Sequence, residues 1–277
     1  QIAKKTLGRY VPFITTLHGT DITLVGKDKT YEPVVTFSLN ESDAITAVSN
    51  NLKDETLKFF PIEKDIEVIY NFVDVQRFDK RPVDAFKKVI APNDERILVH
   101  ASNFRPVKRV EDVVLIYAKL REKIPAKLLM VGDGPERQNC ENLARELGVC
   151  DGIRFLGKQE QMEEIMAISD LFLLPSQYES FGLAALEAMA AHVPVLSSNA
   201  GGLPEINIPG KTGYMFDIGD IDTAVQYAFD ILKDDETLST FRKNAFKQAK
   251  DFEVENIVPL YEHLYAKVLK EAHETIA

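Results

Sequence analysis

The fold is decided by three short apolar runs, which read ILVHA at residues 97–101, KLLMV at 127–131 and LFLLP at 171–175. Two further runs stand at 153–157 (IRFLG) and 194–197 (PVLS). Stretches of helical periodicity separate these runs, and such an alternation is typical of a parallel sheet with helices on both faces. We therefore predict an α/β, doubly wound domain that binds its ligand at the carboxyl ends of its strands.

Helical periodicity predicts helices in the segments between and after these runs. The segment at 136–147 ends at Gly148, a common residue at helix ends. The last segment, at 254–273, contains Pro259, which we expect to interrupt it. The other predicted helical segments are 110–124, 182–191 and the tail from residue 220.

The first 80 residues show the same alternation with fewer strands. Strands are predicted at 13–17, 44–48 and 66–70, and residues 71–85 are expected to form a linker without regular structure. Three short strands make a poor independent sheet of this class. We therefore expect roughly one half-domain, on the order of 100 residues, to precede this chain in the natural protein.

Composition limits the classes of function. The chain has 277 residues, of which 45% are hydrophobic and 27% charged, as in ordinary globular proteins. Its net charge of −10 offers no general attraction for nucleic acid, and the sequence contains no apolar run long enough to cross a membrane. Two cysteines, Cys140 and Cys150, indicate a reducing, cytoplasmic setting rather than a disulfide framework. No His/Cys spacing typical of zinc and no P-loop pattern is present.

The first chemical motif is the stretch ESFGLAALE at 179–187, which follows a buried strand and opens a helix. The start of a helix presents unpaired N–H groups and binds anions such as phosphate. Glu179 and Glu187 could each accept a hydrogen bond from a hydroxyl, one on a sugar and one on a ribose. The alternatives are a helix cap or solvated carboxylate for Glu179 and a charge on an exposed helix face for Glu187.

The second motif is the stretch NFRPVKR at 103–109, where another strand ends and a helix begins. It places Arg105, Lys108 and Arg109 at a helix start, where the helix dipole disfavours cations. A bound diphosphate would relieve this conflict, because Arg offers a planar fork and Lys a point charge. The alternative is a solvated basic patch.

Weaker signals lie at other strand ends. His18 follows the first strand, where Gly19 permits close approach of a ligand and Asp21 could orient the imidazole ring. The tandem glycines 201–202 either approach a ligand or form a tight turn, and residues 132–134 (GDG) indicate a turn. The Asp220-Ile221-Asp222 stretch resembles a metal motif, but aspartates at a helix start are expected to cap it, so we predict no metal site.

Together these motifs resemble those of the retaining, metal-independent glycosyltransferases of family four, which have the two-Rossmann GT-B fold. The Glu-x7-Glu segment 179–187 is the signature of that family, and the basic stretch, the GDG turn and the segment 201–205 (GGLPE) stand in the usual order. The resemblance implies three parts: an incomplete N-terminal acceptor-side domain at 1–80, a nucleotide-sugar-binding domain at 81–253, and a final helix at 254–277 that crosses back to the N-terminal domain.

The resemblance also implies roles for individual residues. Arg105 and Lys108 would neutralise the leaving diphosphate, Glu179 would bind a hydroxyl of the sugar, Glu187 would bind the ribose, and His18 would touch the sugar near the reacting carbon. Asn103 stands where the family usually has an arginine, so the role of that arginine is transferred to Arg105. Asn103 and Arg105 would also contact the acceptor. The remaining donor contacts would come from Leu156, Gly157 and Lys158 around the uracil, and from Ser180, Phe181, Gly182 and Leu183 at the β-phosphate.

Within the family, the stretches at 18–23, 71–74 and 103–109 most resemble members that move N-acetylglucosamine from UDP-N-acetylglucosamine to the hydroxyl of L-malate, the first step of bacillithiol synthesis. We therefore expect a UDP-sugar donor, a small hydroxy acid as acceptor and no cofactor. Two alternatives stay open: a lipid-linked or phosphoinositol acceptor, and a non-catalytic protein that binds sugar nucleotides. A homo-oligomer is compatible with either.

Overall fold

The computed structural model describes residues 10–19, 22, 29–80 and 82–276, with side chains to residue 272. The chain forms two compact units, one of Gln1–Phe72 with Val254–Ala277 and one of Val73–Glu253. The first division therefore falls at 72/73, where the sequence led us to expect 80/81.

Each unit contains one parallel sheet with helices packed around it. The strands, in chain order, are β1 (Ile14–Leu17), β2 (Ala44–Ala47), β3 (Ile66–Val68), β4 (Arg96–Ser102), β5 (Ala126–Gly132), β6 (Ile153–Gly157), β7 (Leu171–Leu174), β8 (Val195–Ser198) and β9 (Gly213–Phe216). The described α-helices are α1 (Glu32–Asn40), α2 (Asn50–Phe59), α3 (Val75–Phe78), α4 (Asp84–Ile90), α5 (Val110–Leu120), α6 (Arg137–Glu146), α7 (Met162–Ala167), α8 (Leu183–Ala190), α9 (Ile221–Leu232), α10 (Asp235–Lys250) and α11 (Val254–Ile276).

The larger unit is built on a six-stranded sheet in the order β6-β5-β4-β7-β8-β9, with every pair parallel. The chain runs outward from β4 through β5 to β6, and then returns to the other side of β4 with β7. The strand order therefore reverses between β4 and β7, the position at which open α/β sheets form a ligand crevice.

Both faces of this sheet are buried, as its apolar strands predict. Leu98, Leu128 and Leu173 belong to a core that also contains apolar residues of α5, α6, α9 and α10. The alternate strand residues Val99 and Phe172 are fully buried as well. This double coverage explains why the strands read as continuous apolar runs rather than as an alternation of apolar and polar residues.

The smaller unit contains the parallel sheet β1-β2-β3 and the C-terminal helix. On α11, Ile257, Leu264 and Val268 pack with Ile69 in one apolar cluster. Pro259 lies inside this helix without ending it, so the expected interruption is wrong. A proline in an early turn removes one backbone donor, and the packing of the apolar face supports the helix through it.

The structure corrects one local expectation and adds one strand. The stretch 71–85 is not irregular, because it contains α3, whose N-cap Asp74 accepts a hydrogen bond from the backbone N–H of Arg77 at 3.0 Å, and the start of α4. Strand β9 was not predicted, because its four residues include only two buried ones and stand directly after a turn. None of the helices in the described ranges is long and apolar enough to span a membrane.

Candidate active site

The candidate site lies at the carboxyl ends of β4 and β7, the two strands between which the order reverses. Two loops meet there. We call residues 103–109, which connect β4 to α5, the β4 loop, and residues 175–182, which connect β7 to α8, the β7 loop. Because all six strands are parallel, the other predicted motifs of this unit also follow strands at this same edge.

The β4 loop contains a single 3-10 turn at Pro106–Lys108 and enters α5 through Arg109 in the left-handed conformation, with φ of 48°. The guanidinium of Arg109 donates two hydrogen bonds to the carboxylate of Asp112, at 2.6 and 3.0 Å. The expected conflict between three cations and the helix start is therefore partly resolved by the chain itself, since Asp112 in the first turn neutralises Arg109. Arg105 is exposed and has no ion pair among the described residues.

The β7 loop leads into α8 through Gly182, whose φ of 99° is a left-handed conformation that favours glycine. Phe181, just before it, is fully buried and packs edge-on against Phe252, with ring centroids 5.8 Å apart. The Phe181 side chain therefore anchors the loop in the core. Only the backbone of this residue remains for the contact that the family resemblance implies.

One ion pair joins the two loops. The Nζ atom of Lys108 donates to Oε1 of Glu179 at 2.6 Å, and the hydroxyl of Ser176 donates to the same oxygen at 2.8 Å. The side chains of Lys108 and Glu179 are 21% and 14% exposed. Two charges that are so largely removed from water need partners, and here each charge is the partner of the other.

A pocket of about 240 Å³ opens beside this pair. Asn103, Lys108 and Glu179 line it, together with Gly182 and Leu183 at the start of α8. Ser102 and Ala101 of β4, Leu174 of β7 and Ala184 complete the lining. Lys108 is the one cation among these lining residues, and the helix start contributes further positive potential. The pocket suits a ligand group that carries negative charge next to one that carries hydroxyls.

Glycines hold both loops in place by close backbone contact. A Cβ atom on Gly134 would lie 2.7 Å from the carbonyl oxygen of Asn103, and one on Gly201 would lie 1.9 Å from that of Glu179. The backbone N–H of Gly202 also donates to Glu179 O at 2.8 Å. The tandem glycines therefore approach another part of the chain, where we had expected a ligand or a simple turn. The turn expected at 132–134 has the same additional role.

A buried histidine that our sequence analysis did not consider lies beneath the pocket. His100 of β4 is fully buried, with Nδ1 2.8 Å from Leu173 O and Nε2 2.8 Å from the hydroxyl oxygen of Ser102. Burial lowers the pKa of its imidazole to about 4, with a smaller contribution from the positive charge of Lys108. The available signal was a histidine inside an otherwise apolar strand.

Glu187 lies on α8, three residues beyond Ala184 of the pocket lining, and is half-buried. Burial raises the pKa of its carboxyl, and the negative charge of Glu163 raises it further, whereas Arg77 acts in the opposite direction. Arg77 itself pairs with Glu163 at 3.3 Å. No described residue forms an ion pair with Glu187. A half-buried carboxylate without such a partner is suited to accept hydrogen bonds from a ligand.

The structure places the remaining predicted residues elsewhere. Leu156 and Gly157 are the last two residues of β6, an edge strand of the sheet, and Lys158 follows it. None of these three lines the pocket described above, and Ser180 and Arg105 are likewise outside its lining. His18 is exposed at the end of β1 in the smaller unit. Asp21, which was expected to orient His18, lies outside the described residues.

The aspartates declined as metal ligands have structural partners. Asp220 caps α9 by accepting a hydrogen bond from the backbone N–H of Thr223 at 3.1 Å, and Asp222 pairs with Lys119. In the parts of the chain that the structure describes, no three His, Cys, Asp or Glu side chains are grouped so that they could hold a metal ion.

Solved structures share this fold. Anabaena HepE in complex with UDP and glucose superposes with a TM-score of 0.85 at 21% identity, covering 96% of this chain and 73% of that one. Sucrose-phosphate synthase from Thermosynechococcus elongatus gives 0.83 at 24% identity, covering 96% and 70%. The predicted α/β fold with parallel Rossmann-like sheets is confirmed.

Curated relatives cover most of the chain. An N-acetyl-alpha-D-glucosaminyl L-malate synthase of Bacillus anthracis is 42% identical over 98% of this chain and 71% of its own length. An uncharacterized glycosyltransferase of Methanocaldococcus jannaschii is 31% identical over 71% of this chain. A glycogen synthase of Mycobacterium tuberculosis is 31% identical over 73%. The chain spans about half the length of the latter two.

Family models match both parts of the chain. The model described as glycosyl transferases group 1 matches residues 83–248, more than half of the chain, and the model described as glycosyltransferase family 4 matches residues 2–77. These matches agree with the order of the motifs and with the parallel sheets. The chain therefore belongs to the family-four glycosyltransferases, the group 1 enzymes with the GT-B type of fold.

Proposed function

We propose that this protein transfers N-acetylglucosamine from UDP-N-acetylglucosamine to the hydroxyl of L-malate, with retention of configuration and without a metal ion. The observation that carries the proposal is the Lys108–Glu179 pair in a pocket at the reversal of strand order. The name and the 42% identity of the Bacillus anthracis relative support the choice of donor and acceptor.

The diphosphate of the donor is proposed to bind between the two loops. Lys108 would exchange part of its contact with Glu179 for a phosphate oxygen, and the N–H groups at the start of α8 would donate to the same group. Negative charge grows on the leaving phosphate as the anomeric bond breaks. Fixed donors at that position stabilise the transition state more than the ground state, and this difference lowers the barrier.

The sugar is proposed to bind against Glu179, whose carboxylate would accept a hydrogen bond from a hydroxyl. The anomeric carbon loses its bond to the phosphate oxygen and gains one to the malate oxygen on the same face. The malate hydroxyl gives its proton to the leaving phosphate, so the products are the glycoside and UDP. Glu179 is a binding residue in this scheme, because its carboxylate is held by Lys108 and Ser176 rather than free to attack.

Malate carries two negative charges and requires cationic or amide partners. Arg109 is committed to Asp112, so Arg105 and Asn103 of the β4 loop are the proposed contacts in this unit. Both are exposed, and Asn103 lines the pocket. The proposed roles of His18 at the sugar, of Glu187 at the ribose and of Leu156, Gly157 and Lys158 at the uracil rest on the family resemblance.

The test is to incubate the full-length protein and UDP-N-acetylglucosamine with a chelator and a panel of acceptors, and to identify the products by mass and by anomeric coupling constant. The panel contains L-malate, its neutral dimethyl ester, L-lactate, glycerol and inositol phosphate. We expect an α-linked product with L-malate and little with the ester. A β-linked product, equal turnover of the ester, or a requirement for metal would contradict the proposal.

Two controls separate this function from the alternatives. Preference for inositol phosphate would indicate the second acceptor class, and binding of UDP without any transfer would indicate a sugar-nucleotide-binding protein. The variant Lys119→Ala removes an exposed lysine that pairs with Asp222, and its transfer rate is expected to equal that of the unmodified protein.

A further inference from the structure

The buried contact between His100 and Ser102 fixes the direction of one hydrogen bond in the pocket. The carbonyl oxygen of Leu173 can only accept, so the Nδ1 atom of His100, 2.8 Å away, carries the hydrogen. A fully buried imidazole with no carboxylate partner is neutral, and its pKa of about 4 agrees with that state. In a neutral ring with hydrogen on Nδ1, the Nε2 atom has a lone pair and accepts.

The hydrogen on Nδ1 determines the hydrogen bond of Ser102, which lines the pocket at the end of β4. Its hydroxyl oxygen is 2.8 Å from Nε2, so Ser102 donates its single hydrogen to the histidine. The oxygen then has only lone pairs left for a ligand. A serine hydroxyl normally rotates to serve as donor or acceptor, and here His100 removes that freedom.

An oxygen that only accepts selects its ligand. A phosphate oxygen, also an acceptor, gains nothing from Ser102, whereas a hydroxyl gains a hydrogen bond. Glu179, which pairs with Lys108 and lines the same pocket, is a second acceptor. The pocket therefore offers a cation for phosphate and two acceptors for hydroxyls, a pattern that matches a sugar joined to a diphosphate.

We propose that His100 and Ser102 act as a positioning pair, in which His100 holds the Ser102 hydroxyl as a fixed acceptor for one hydroxyl of the donor sugar. This inference rests on the proposed function, because it assumes a sugar nucleotide in the pocket. Ser102 touches the sugar, and His100 acts through Ser102. The pair orients the sugar and transfers no proton, since His100 is fully buried and does not line the pocket.

The test compares the affinity of the full-length protein for UDP-N-acetylglucosamine with its affinity for UDP, both measured by calorimetry. Replacement Ser102→Ala is expected to weaken binding of the UDP-sugar by about fivefold, the usual worth of one neutral hydrogen bond, and to leave UDP affinity unchanged. The control Ser169→Ala removes another buried hydroxyl, which donates to Ile165 O outside the pocket, and should change neither affinity.

Two histidine variants separate positioning from packing. An asparagine amide reaches the position of Nδ1 and can still donate to Leu173 O, but it leaves Ser102 without its acceptor. A glutamine amide reaches the position of Nε2 and can accept from Ser102. We expect His100→Asn to weaken UDP-sugar binding as Ser102→Ala does, with no further loss in the double variant, and His100→Gln to restore most of the affinity. Melting temperatures check that each variant is folded.

UDP-sugars that each lack one hydroxyl identify the group that Ser102 binds. One of them should bind the unmodified protein about fivefold more weakly and lose nothing further in Ser102→Ala. The inference is overturned if Ser102→Ala leaves UDP-sugar affinity intact, if it weakens UDP equally, or if His100→Gln is no better than His100→Asn in folded protein. UDP-sugar binding without transfer to malate would sink only the proposed function, whereas no UDP-sugar binding would sink both.

Discussion

The β4 loop and the β7 loop are built alike and differ in what they offer a ligand. Each follows a central parallel strand, enters a helix through a left-handed residue, and lies against a glycine from the neighbouring strand end. The β4 loop presents side-chain charge through Lys108 and uses Arg109 at the left-handed position. The β7 loop presents backbone N–H groups and uses Gly182 there.

This difference shows how one edge of a sheet can recognise two chemical groups. Side-chain charge can be changed by a single substitution, and its effect should appear mainly in binding and rate. Backbone donors depend on the path of the chain, so their loss should follow from changes at glycines that never touch the ligand. Substitutions at Lys108 and at Gly201 separate these two kinds of contribution.

The largest effect is expected for Lys108→Ala, which removes the cation of the β4 loop. Loss of one preorganised donor at a developing charge typically lowers kcat by ~10²–10³-fold. The measurement is steady-state transfer of N-acetylglucosamine to malate, with Lys119→Ala as the control for loss of a lysine. An unchanged kcat in Lys108→Ala would show that Lys108 does not stabilise the leaving phosphate.

The next effect is expected for Gly201→Ala, which disturbs the β7 loop without touching its sequence. The added Cβ would meet the Glu179 carbonyl oxygen at 1.9 Å, so the loop must move. The matched control is Gly210→Ala, which has a similar positive φ of 73° but open space around the Cβ. Both variants bear left-handed strain of ~1–2 kcal/mol, and only Gly201→Ala should also lose transfer activity. Equal losses in the two variants would mean that strain alone is responsible.

Much of the fold around the two loops could be predicted from the sequence, because the signals that mark strands and helix ends are local. The runs at 97–101 and 171–175 predicted strands because both faces of the sheet are buried there, and Gly148 marked the end of a helix. The meeting of Lys108 with Glu179, 71 residues apart, depends on β4 lying beside β7. Sequence placed both residues at strand ends, but strand order alone makes them neighbours.

The sequence did not reveal features that depend on distant parts of the chain. These are close backbone contacts and the directions of buried hydrogen bonds. Gly201 was expected to face a ligand or form a turn, and its contact with Glu179 O is visible only once β8 lies beside β7. The neutral state of His100 depends on the Leu173 carbonyl of a neighbouring strand. Pro259 failed as a helix breaker because the packing of α11 outweighs one lost hydrogen bond.

A smaller effect is expected for Glu179→Gln, which frees Lys108 from its partner. A negative carboxylate beside the phosphate site repels the ligand's charge, so its neutral replacement should tighten UDP binding severalfold while lowering transfer. Calorimetry with UDP measures the first and product formation the second. Asp151→Asn, which breaks an exposed ion pair with Arg121, is the control and should leave UDP affinity unchanged. Weaker UDP binding in Glu179→Gln would show that the carboxylate itself holds the nucleotide.

The smallest effect concerns Glu187 and the pH dependence of stability. Burial raises the pKa of this carboxyl above its ordinary value of 4.5, so the folded protein holds the proton more tightly than the unfolded chain. The ionised form therefore costs stability as pH rises through the raised pKa. Glu187→Gln should raise the melting temperature at pH 7, and the gain should vanish below about pH 4.5. Glu122→Gln, at an exposed position, should show no such gain; a lower melting temperature for Glu187→Gln at pH 7 would contradict this view.

The central claim is that the diphosphate of a nucleotide sugar lies between the two loops. A crystal structure of the full-length protein with UDP tests it most directly. The account predicts phosphate oxygens within hydrogen-bond distance of Lys108 Nζ and of the backbone N–H groups at the start of α8, with the Lys108–Glu179 contact lengthened from 2.6 Å. A nucleotide bound at another edge of the sheet, with that ion pair intact, would contradict it.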